Sequence, residues 1–247
     1  MSRVAVVTGG ASGIGLGVAR RFVADGHHVA VLDRDRAGAE AAAAELEAQG
    51  GKVIAVEVDV ADRASVDTAF ARTRAELGPA EILVTSAGVE SFDALLDITP
   101  EIWDRIIAVN LTGTFACVQA AVPDMVAAGW GRIVTISSSS AQSGAPNMTH
   151  YAASKGGVIS LTKALAVELA RSGITVNTIP PSLVDTPMAR HAEAVGDFPG
   201  VDVVGPMVPV GRAGTPADIA AACSFLCSDD AAYITGQLIG VNGGMYI

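Results

Sequence analysis

The apolar residues of this chain fall in short unbroken runs that are separated by longer, mixed stretches. The runs are rich in valine and isoleucine and do not alternate with polar residues: Val4–Val7, Val29–Leu32, Val53–Val58, Ile82–Val84, Ile133–Ile136, Ile174–Val176 and Leu238–Val241. Runs of this kind are typical of parallel strands that are covered on both faces. The pattern therefore predicts about seven parallel strands.

Helix candidates lie between these runs and complete a repeating β-α-β order. They are Gly13–Asp25, Arg36–Gln49, Arg63–Leu77, Pro100–Ala128, Tyr151–Ser172 and Pro216–Cys227. Two successive βαβαβ units joined by right-handed crossovers form a doubly wound sheet. We therefore predict an α/β fold of the Rossmann type, with a doubly wound parallel sheet flanked by helices.

No serine- or glycine-rich linker and no block of charge divides the sequence, so residues 1–247 are predicted to form a single domain. The stretch Pro180–Arg212 differs from the rest of the chain in composition, because prolines and glycines recur throughout it. It is too irregular for the sheet and too long for a passive turn. Residues 182–212 are therefore predicted to form a substrate lid. An ordinary surface excursion is the alternative that the sequence leaves open.

Half of the 247 residues are apolar, and the formal net charge is −10. The composition supports a large aliphatic core, and the negative charge argues against nucleic acid or an anionic membrane as a partner. No apolar run approaches the ~20 residues that span a bilayer, and the N-terminus leads into a strand without signal-peptide architecture. Cys117, Cys223 and Cys227 are sparse and lack metal-ligand spacing. No metal site and a cytoplasmic location are therefore predicted.

The first strand runs directly into a glycine-rich turn, Thr8–Gly15, and then into a helix. Glycines let the backbone approach a pyrophosphate, and the helix N-terminus offers N–H donors. Asp33 ends the second strand, where a carboxylate accepts hydrogen bonds from ribose hydroxyls and repels a 2′-phosphate. NAD is therefore predicted over NADP, although Arg34 would accommodate that phosphate in part. Asp59 ends the third strand, where it would meet the adenine. The alternative role for Asp33 is to cap the next helix.

Tyr151 and Lys155 lie four residues apart at the start of a predicted helix, so their side chains share one face. A tyrosine phenol has an ordinary pKa near ~10 and is a poor base at neutral pH. A neighbouring ammonium favours the phenolate, so Lys155 is expected to lower the pKa of Tyr151. The spacing alone is common on helix surfaces, and its meaning depends on the other motifs.

Taken together, the motifs resemble the short-chain dehydrogenase/reductase family over essentially the full length of the chain. The resemblance rests on Thr8–Gly15, Asp59, Ser86-Ala87-Gly88, Asn110, Ser138 and Tyr151-x-x-x-Lys155. The closing Val241-Asn242-Gly243-Gly244 is similar to the end of 3-oxoacyl-carrier-protein reductases and their relatives. The resemblance implies a nicotinamide cofactor, a small-molecule alcohol or ketone as substrate, and a homotetramer.

It also implies a role for each matching residue. Tyr151 would move a proton on or off the substrate oxygen, Ser138 would orient the carbonyl, and Lys155 would bond the nicotinamide ribose. Asn110 would support a water that links Lys155 to solvent. The cofactor would be bound by Tyr151 and Lys155 together with Gly9, Ser12, Gly13, Ile14, Asp33, Asp59, Val60, Ala87, Gly88 and Thr186.

Several of these assignments have a plainer alternative. Ser138 lies in a run of four serines, and only its spacing to Tyr151 selects it, whereas serine runs are most often loops or caps. An asparagine inside a helix, such as Asn110, more often faces solvent. His150, beside Tyr151, could contact substrate, but a lone histidine at a helix start is more often a bystander, and we leave it out of the catalytic set.

Two positions depart from the family pattern. Ser86 replaces the usual asparagine after the fourth strand, and Ser182 stands where a glycine is usual beside the nicotinamide. Hydrogen bonds at the strand ends are therefore expected to be made differently, and the nicotinamide pocket is expected to be slightly reshaped, with catalysis retained.

The sequence thus predicts an NAD-dependent oxidoreductase that interconverts a secondary alcohol and a ketone, with a 3-hydroxyacyl or 3-oxoacyl thioester as the first substrate class. A small, cyclic, sugar or steroid alcohol is the alternative. A non-catalytic NAD-binding sensor is disfavoured, because a sensor needs no proton-transfer groups. Excess apolar residues on the two long predicted helices, Pro100–Ala128 and Tyr151–Ser172, predict a subunit interface.

Overall fold

The computed structural model describes residues 2–247 and contains a parallel sheet with helices on both faces. Its strands are β1 (Val4–Thr8), β2 (His28–Asp33), β3 (Val53–Glu57), β4 (Ile82–Thr85), β5 (Gly131–Ile136) and β6 (Ile174–Ile179). The strand order is β3-β2-β1-β4-β5-β6, and every neighbouring pair is parallel. The predicted doubly wound α/β fold is confirmed.

The predicted strand count was too high by one for the part of the chain that the structure describes. The segment predicted as a seventh strand, Leu238–Val241, makes a single bridge, between Thr178 and Leu238, and adds no further rung. Glycines with positive φ lie on both sides of it, Gly236 at φ 73° and Gly243 at φ 63°. Because such turns leave the extended conformation, the chain stays beside β6 for too few residues to form a ladder.

Ten α-helical segments connect and follow the strands within residues 2–247. They are α1 (Gly13–Ala24), α2 (Arg36–Ala48), α3 (Arg63–Glu76), α4 (Pro100–Ile107), α5 (Gly113–Ala128), α6 (Ser140–Ser143), α7 (Thr149–Leu169), α8 (Pro187–Val195), α9 (Val201–Val204) and α10 (Pro216–Leu226). Asp35, Asp62, Thr99 and Thr215 each accept a hydrogen bond from a first-turn amide, which explains where α2, α3, α4 and α10 begin.

The predicted continuous helix Pro100–Ala128 is interrupted by a π-helical turn, Ala108–Thr112, between α4 and α5. Asn110 in this turn is fully buried, so the alternative of a solvent-facing asparagine does not hold. Among the described residues, this 29-residue stretch is the one helix long and apolar enough to cross a bilayer. Half of its most apolar window is nevertheless buried inside the protein, as expected for a core helix.

Alternate residues of the buried strands pack on opposite faces of the sheet. On one face, Val6 packs with Phe70 of α3 and Cys117 of α5. On the other face, Val7 packs with Phe22 of α1 among residues of α2 and α10. Strands β2 and β3 lie on one side of β1, and strands β4 to β6 lie on the other side. The carboxyl ends of β1 and β4 therefore flank a crevice, which is where ligands bind in such sheets.

Candidate active site

A cavity of about 750 Å³ lies at this crevice, within the size range of small-molecule and cofactor sites. It is lined by nearly all of the residues predicted for the site: Gly9, Ser12, Gly13, Ile14, Asp33, Asp59, Val60, Ala87, Gly88, Ser138, Tyr151, Lys155 and Thr186. Asn110 does not line it, because its side chain is buried behind the cavity wall.

The glycine-rich turn is held by close backbone packing. Gly9 has a φ of 65°, and a Cβ there would lie 2.8 Å from the backbone of Ala87. A Cβ on Gly15 would overlap the carbonyl oxygen of Gly9. Ser12 precedes α1 and makes no side-chain cap, so the first-turn amides of α1 are free of a side-chain acceptor. The turn thus combines a close backbone approach with unpaired N–H donors, which suits a phosphate group.

Asp33 is oriented from two sides at the end of β2. Its Oδ2 atom accepts the Ala11 N–H at 3.0 Å, and its Oδ1 atom accepts the Asp35 N–H at 3.0 Å. The cap of α2 is Asp35, whose Oδ1 accepts the Gly38 N–H at 3.1 Å, so the capping alternative for Asp33 does not hold. A carboxylate has about four acceptor positions, so Asp33 keeps capacity for ribose hydroxyls. Arg34 is exposed at the same edge of the cavity.

Hydrogen bonds around the end of β4 explain how the chain accommodates Ser86. The Thr8 hydroxyl accepts the N–H groups of both Ser86 and Ala87, each at 3.2 Å. Asn110 continues the support, because its Oδ1 accepts the Val89 N–H at 2.9 Å and its Nδ2 donates to the Val89 carbonyl at 3.0 Å. Nδ2 of Asn110 also donates to Ser154 Oγ at 3.1 Å. The side chain of Asn110 therefore positions the loop after β4, and its predicted link to a water stays a prediction.

The three proton-transfer candidates meet between β5 and α7. Lys155 is buried, its Nζ donates to the Ile136 carbonyl at 2.9 Å, and Nζ lies 5.7 Å from the centroid of the Tyr151 ring. The Ser138 hydroxyl accepts bonds from the Ser140 amide at 3.2 Å and the Ser140 hydroxyl at 2.9 Å. Of the four consecutive serines, Ser138 is the one whose hydroxyl acts to lower the pKa of the Tyr151 phenol.

The expected effect of Lys155 on the phenol is not what the structure shows. Burial raises the pKa of Tyr151, the charge of Glu90 raises this pKa further, and the hydrogen bond with Ser138 opposes both. Burial also lowers the pKa of Lys155 to about 8, and Glu90 opposes that change. The expectation considered one charge pair, whereas loss of solvation for a buried phenolate is the larger effect.

One residue that lines the cavity, Glu90, was missed from the sequence, and a buried neighbour of the site, His150, was left out of the catalytic set. Glu90 lines the cavity and acts electrostatically on both Tyr151 and Lys155. His150, which was treated as a bystander, is fully buried, and its Nε2 lies 2.7 Å from Ser91 Oγ and 3.4 Å from Asp93 Oδ2. A carboxylate two residues after Gly88, in the loop that follows β4, was the available signal for Glu90.

The segment 182–212 contains α8, α9 and the 3₁₀ turn 205–207, and several of its residues line the cavity. Ser182 Oγ donates to the Asn242 carbonyl at 3.0 Å, so the departing residue joins this segment to the C-terminal stretch. Thr186 caps α8 by accepting the Ala189 N–H at 3.2 Å. Arg190 links the start of this segment to α9, because it bonds Asp185 at 2.8 and 2.9 Å and Asp202 at 2.9 Å.

The cavity fits a nicotinamide dinucleotide by the chemistry of its lining. The glycine turn offers donors for a pyrophosphate, Asp33 offers acceptors for a ribose, and Lys155 offers a donor near Tyr151. Within residues 2–247, no group of three or more His, Cys, Asp or Glu side chains is placed to hold a metal ion. The three cysteines are free and buried.

Comparison with known proteins identifies the family. The family described as enoyl-(acyl carrier protein) reductase matches residues 9–246. The chain is 38% identical over 245 residues to 3-oxoacyl-(acyl-carrier-protein) reductase MabA of Mycobacterium tuberculosis, covering 99% of this chain and 93% of the relative. It is 41% identical over 246 residues to acetoacetyl-CoA reductase of Rhizobium meliloti, covering 100% and 99%. It is 40% identical over 245 residues to D-threitol dehydrogenase of Mycolicibacterium smegmatis, covering 99% and 93%. The chain therefore belongs to the short-chain dehydrogenase/reductase family and is an oxidoreductase that acts on CH–OH groups.

Proposed function

We propose that the protein is an NAD-dependent oxidoreductase that interconverts a secondary alcohol and a ketone. The observation that carries this proposal is the meeting of Ser138, Tyr151 and Lys155 at a cavity whose other end is the glycine turn. The bound nicotinamide supplies hydride transfer. Tyr151 moves the proton at the substrate oxygen, Ser138 orients that oxygen by a hydrogen bond, and Lys155 holds the nicotinamide ribose and a positive charge beside the phenol.

The preference for NAD rests on the charge of Asp33. Its carboxylate is fixed by two backbone amides at the end of β2, where it would repel a 2′-phosphate of NADP and accept bonds from the ribose hydroxyls of NAD. Arg34 offers an opposing charge at the edge of the cavity but is exposed and therefore well solvated. The fixed carboxylate is expected to dominate.

A 3-hydroxyacyl or 3-oxoacyl thioester is the first substrate class. It is supported by the names of two relatives, a 3-oxoacyl-(acyl-carrier-protein) reductase and an acetoacetyl-CoA reductase. The alternative is a small, cyclic, sugar or steroid alcohol, and the similarity to a D-threitol dehydrogenase favours the polyol members of that group. Leu183, Met188 and Phe198 of the segment 182–212 line the cavity, and they provide apolar contacts for either class of substrate.

A spectrophotometric screen tests the assignment. Purified protein is mixed with NAD or NADP and secondary alcohols, and with the reduced cofactors and ketones or 3-oxoacyl thioesters. NADH formation or consumption with at least one pair is expected. Tight NAD binding with no turnover of any compound would instead support a non-catalytic NAD sensor.

The Asp33→Asn variant tests the cofactor preference. Asparagine keeps an acceptor for one of the two backbone amides but removes the charge. The ratio of kcat/KM for NAD to kcat/KM for NADP is expected to fall by about tenfold or more. Glu47→Gln, which removes one exposed charge on α2, should leave the ratio unchanged. A wild-type enzyme that prefers NADP would contradict the proposal directly.

We further propose a homotetramer in the cytoplasm, with residues 182–212 acting as a substrate lid and with neither nucleic acid nor membrane as partner. Phe115 of α5 is 44% exposed and Val167 of α7 is 83% exposed, and apolar residues exposed on long helices favour a subunit interface. Three free thiols fit a reducing compartment. Size-exclusion chromatography with light scattering checks the assembly, and a monomer would refute the tetramer.

A further inference from the structure

Glu90 is a carboxylate that the alcohol–ketone mechanism does not use. It lines the cavity, and among residues 2–247 no side chain or amide donates a hydrogen bond to it. Partial burial raises its pKa, and the charges of Lys155 and His191 oppose that rise while Asp197 adds to it. Its carboxylate is therefore an acceptor that no donor of the protein occupies, and a ligand that brings a donor can bond to it.

The main chain on both sides of Glu90 is fixed. Val89 is bonded through both its N–H and its carbonyl to Asn110. Ser91 Oγ lies 2.7 Å from the buried His150 Nε2, and the Asp93 N–H donates to the Asn147 carbonyl at 2.8 Å. The loop that carries Glu90 is therefore held against the start of α7, the helix that carries Tyr151. Such two-sided support is what a binding group needs in order to be preorganised.

The position of Glu90 determines which part of a substrate it would meet. Its neighbour Ser91 contacts His150, which precedes Tyr151, and a Cβ on Gly88 would lie 3.5 Å from Lys155 Nζ, so Glu90 lines the cavity near the groups proposed to hold the reacting oxygen. A donor on the carbon next to the reacting carbon is the part of a substrate that comes within reach of such a group. A neutral hydroxyl can donate to Glu90 without bringing a second positive charge beside Lys155, and a carboxylate there would be repelled by Glu90 itself.

We infer that Glu90 is a specificity-determining residue that accepts a hydrogen bond from a second hydroxyl, so that the site takes vicinal diols or polyols and, in the reverse direction, the corresponding hydroxyketones. The inference rests on the proposed NAD-dependent hydride transfer but not on the thioester as substrate. The reaction would remain a two-electron oxidation of one carbinol: hydride would leave the carbon for NAD, the proton would leave the oxygen for Tyr151 in its phenolate form, and the second hydroxyl stays intact. Glu90 takes part in binding only.

The test compares a vicinal butanediol, as separate stereoisomers, with the secondary butanol of the same carbon skeleton. For the wild-type enzyme, kcat/KM is expected to be higher for the best diol isomer by about 10- to 100-fold, the range of one hydrogen bond to a charged group. In Glu90→Gln and Glu90→Ala, the ratio of diol to mono-alcohol should fall by about tenfold or more, mainly through KM for the diol. The ratio cancels any change in Tyr151 that both substrates share.

Glu47→Gln serves as the charge-matched control and should keep the wild-type ratio. Circular dichroism and the Kd for NAD establish that each variant is folded and loads cofactor. Turnover of the mono-alcohol with no diol advantage, or an advantage that survives Glu90→Gln, would overturn the inference and leave the proposed function standing. An equal loss for both substrates together with weaker NAD binding would also overturn it, because Glu90 would then serve the cofactor. No turnover of any alcohol would refute the proposed function itself.

Discussion

The cavity has a glycine side, formed by residues 9–15 with Asp33, and a lid side, formed by residues 89–93 and 182–212. The glycine side is shaped by backbone: Gly9 and Gly15 have no room for a Cβ, and Asp33 is held by two main-chain amides. The lid side is shaped by side chains, among them Glu90, Ser182 and Arg190. A site that is shaped by its backbone tolerates few substitutions, whereas a site that is shaped by side chains can be altered by substituting a single residue. The two sides should therefore respond very differently to mutation.

Tyr151→Phe should give the largest effect and should separate chemistry from binding. Removing the phenol oxygen removes the proton-transfer group, so kcat is expected to fall by about 10³-fold. The Kd for NAD, measured by fluorescence titration, should stay within about threefold, because the glycine side is untouched. Turnover near the wild-type level would refute the role of Tyr151.

Gly15→Ala should damage the glycine side by about 100-fold in the Kd for NAD. The new Cβ would overlap the Gly9 carbonyl, so the turn must shift away from the position that binds a pyrophosphate. Gly156→Ala in α7 is the matched control, because no atom lies within 4 Å of its added Cβ. Isothermal titration of both variants with NAD gives the comparison. Equal affinities would show that the turn is not the cofactor cradle.

Lys155→Met should make the protein more stable, because Lys155 carries a charge that the fold buries. Its pKa is about 8 when folded against an ordinary 10.5, so the unfolded chain binds more protons between these pH values. The destabilisation is therefore complete below pH 8 and is relieved as the pH rises towards 10.5. We expect the variant to gain about 1–3 kcal/mol in urea unfolding at pH 7, and the gain to shrink at pH 10.

The matched control is Lys163→Met, which replaces an exposed lysine of the same helix. It should show no pH-dependent gain. A Lys155→Met variant that is less stable than the wild type at pH 7 would mean that the hydrogen bond to Ile136 outweighs the cost of burial.

Arg190→Met should give the smallest effect and should touch the lid side alone. The ion pairs of Arg190 with Asp185 and Asp202 are solvent-exposed and therefore weak. KM for the substrate is expected to rise about threefold with the Kd for NAD unchanged, and high salt should bring the wild type towards the variant. Arg36→Met, which removes an exposed pair on α2, should leave KM unchanged. A larger change in NAD affinity than in KM would contradict the division into two sides.

Local sequence patterns were enough to predict the elements whose cause is itself local. The strands followed from unbroken valine and isoleucine runs, and the turn before α1 followed from its glycines. The contact of His150 with Ser91 was not predictable, because it joins segments 59 residues apart. The direction of the Tyr151 pKa shift was wrong for a related reason, since burial depends on the whole fold. The π turn arises where Asn110 turns inward to bond Val89, which no spacing rule reveals.

The π turn at Ala108–Thr112 has a consequence for the angular relation of the two helices that it joins. A single inserted residue rotates everything after it by about 100° around a helix axis. α4 packs against α7 and α5 against α3, so the two segments direct their buried faces to different neighbours. Deleting one residue from the turn would restore a regular helix and point either Ile106 or Cys117 towards solvent. The length of this turn is therefore constrained more tightly than most of its side chains.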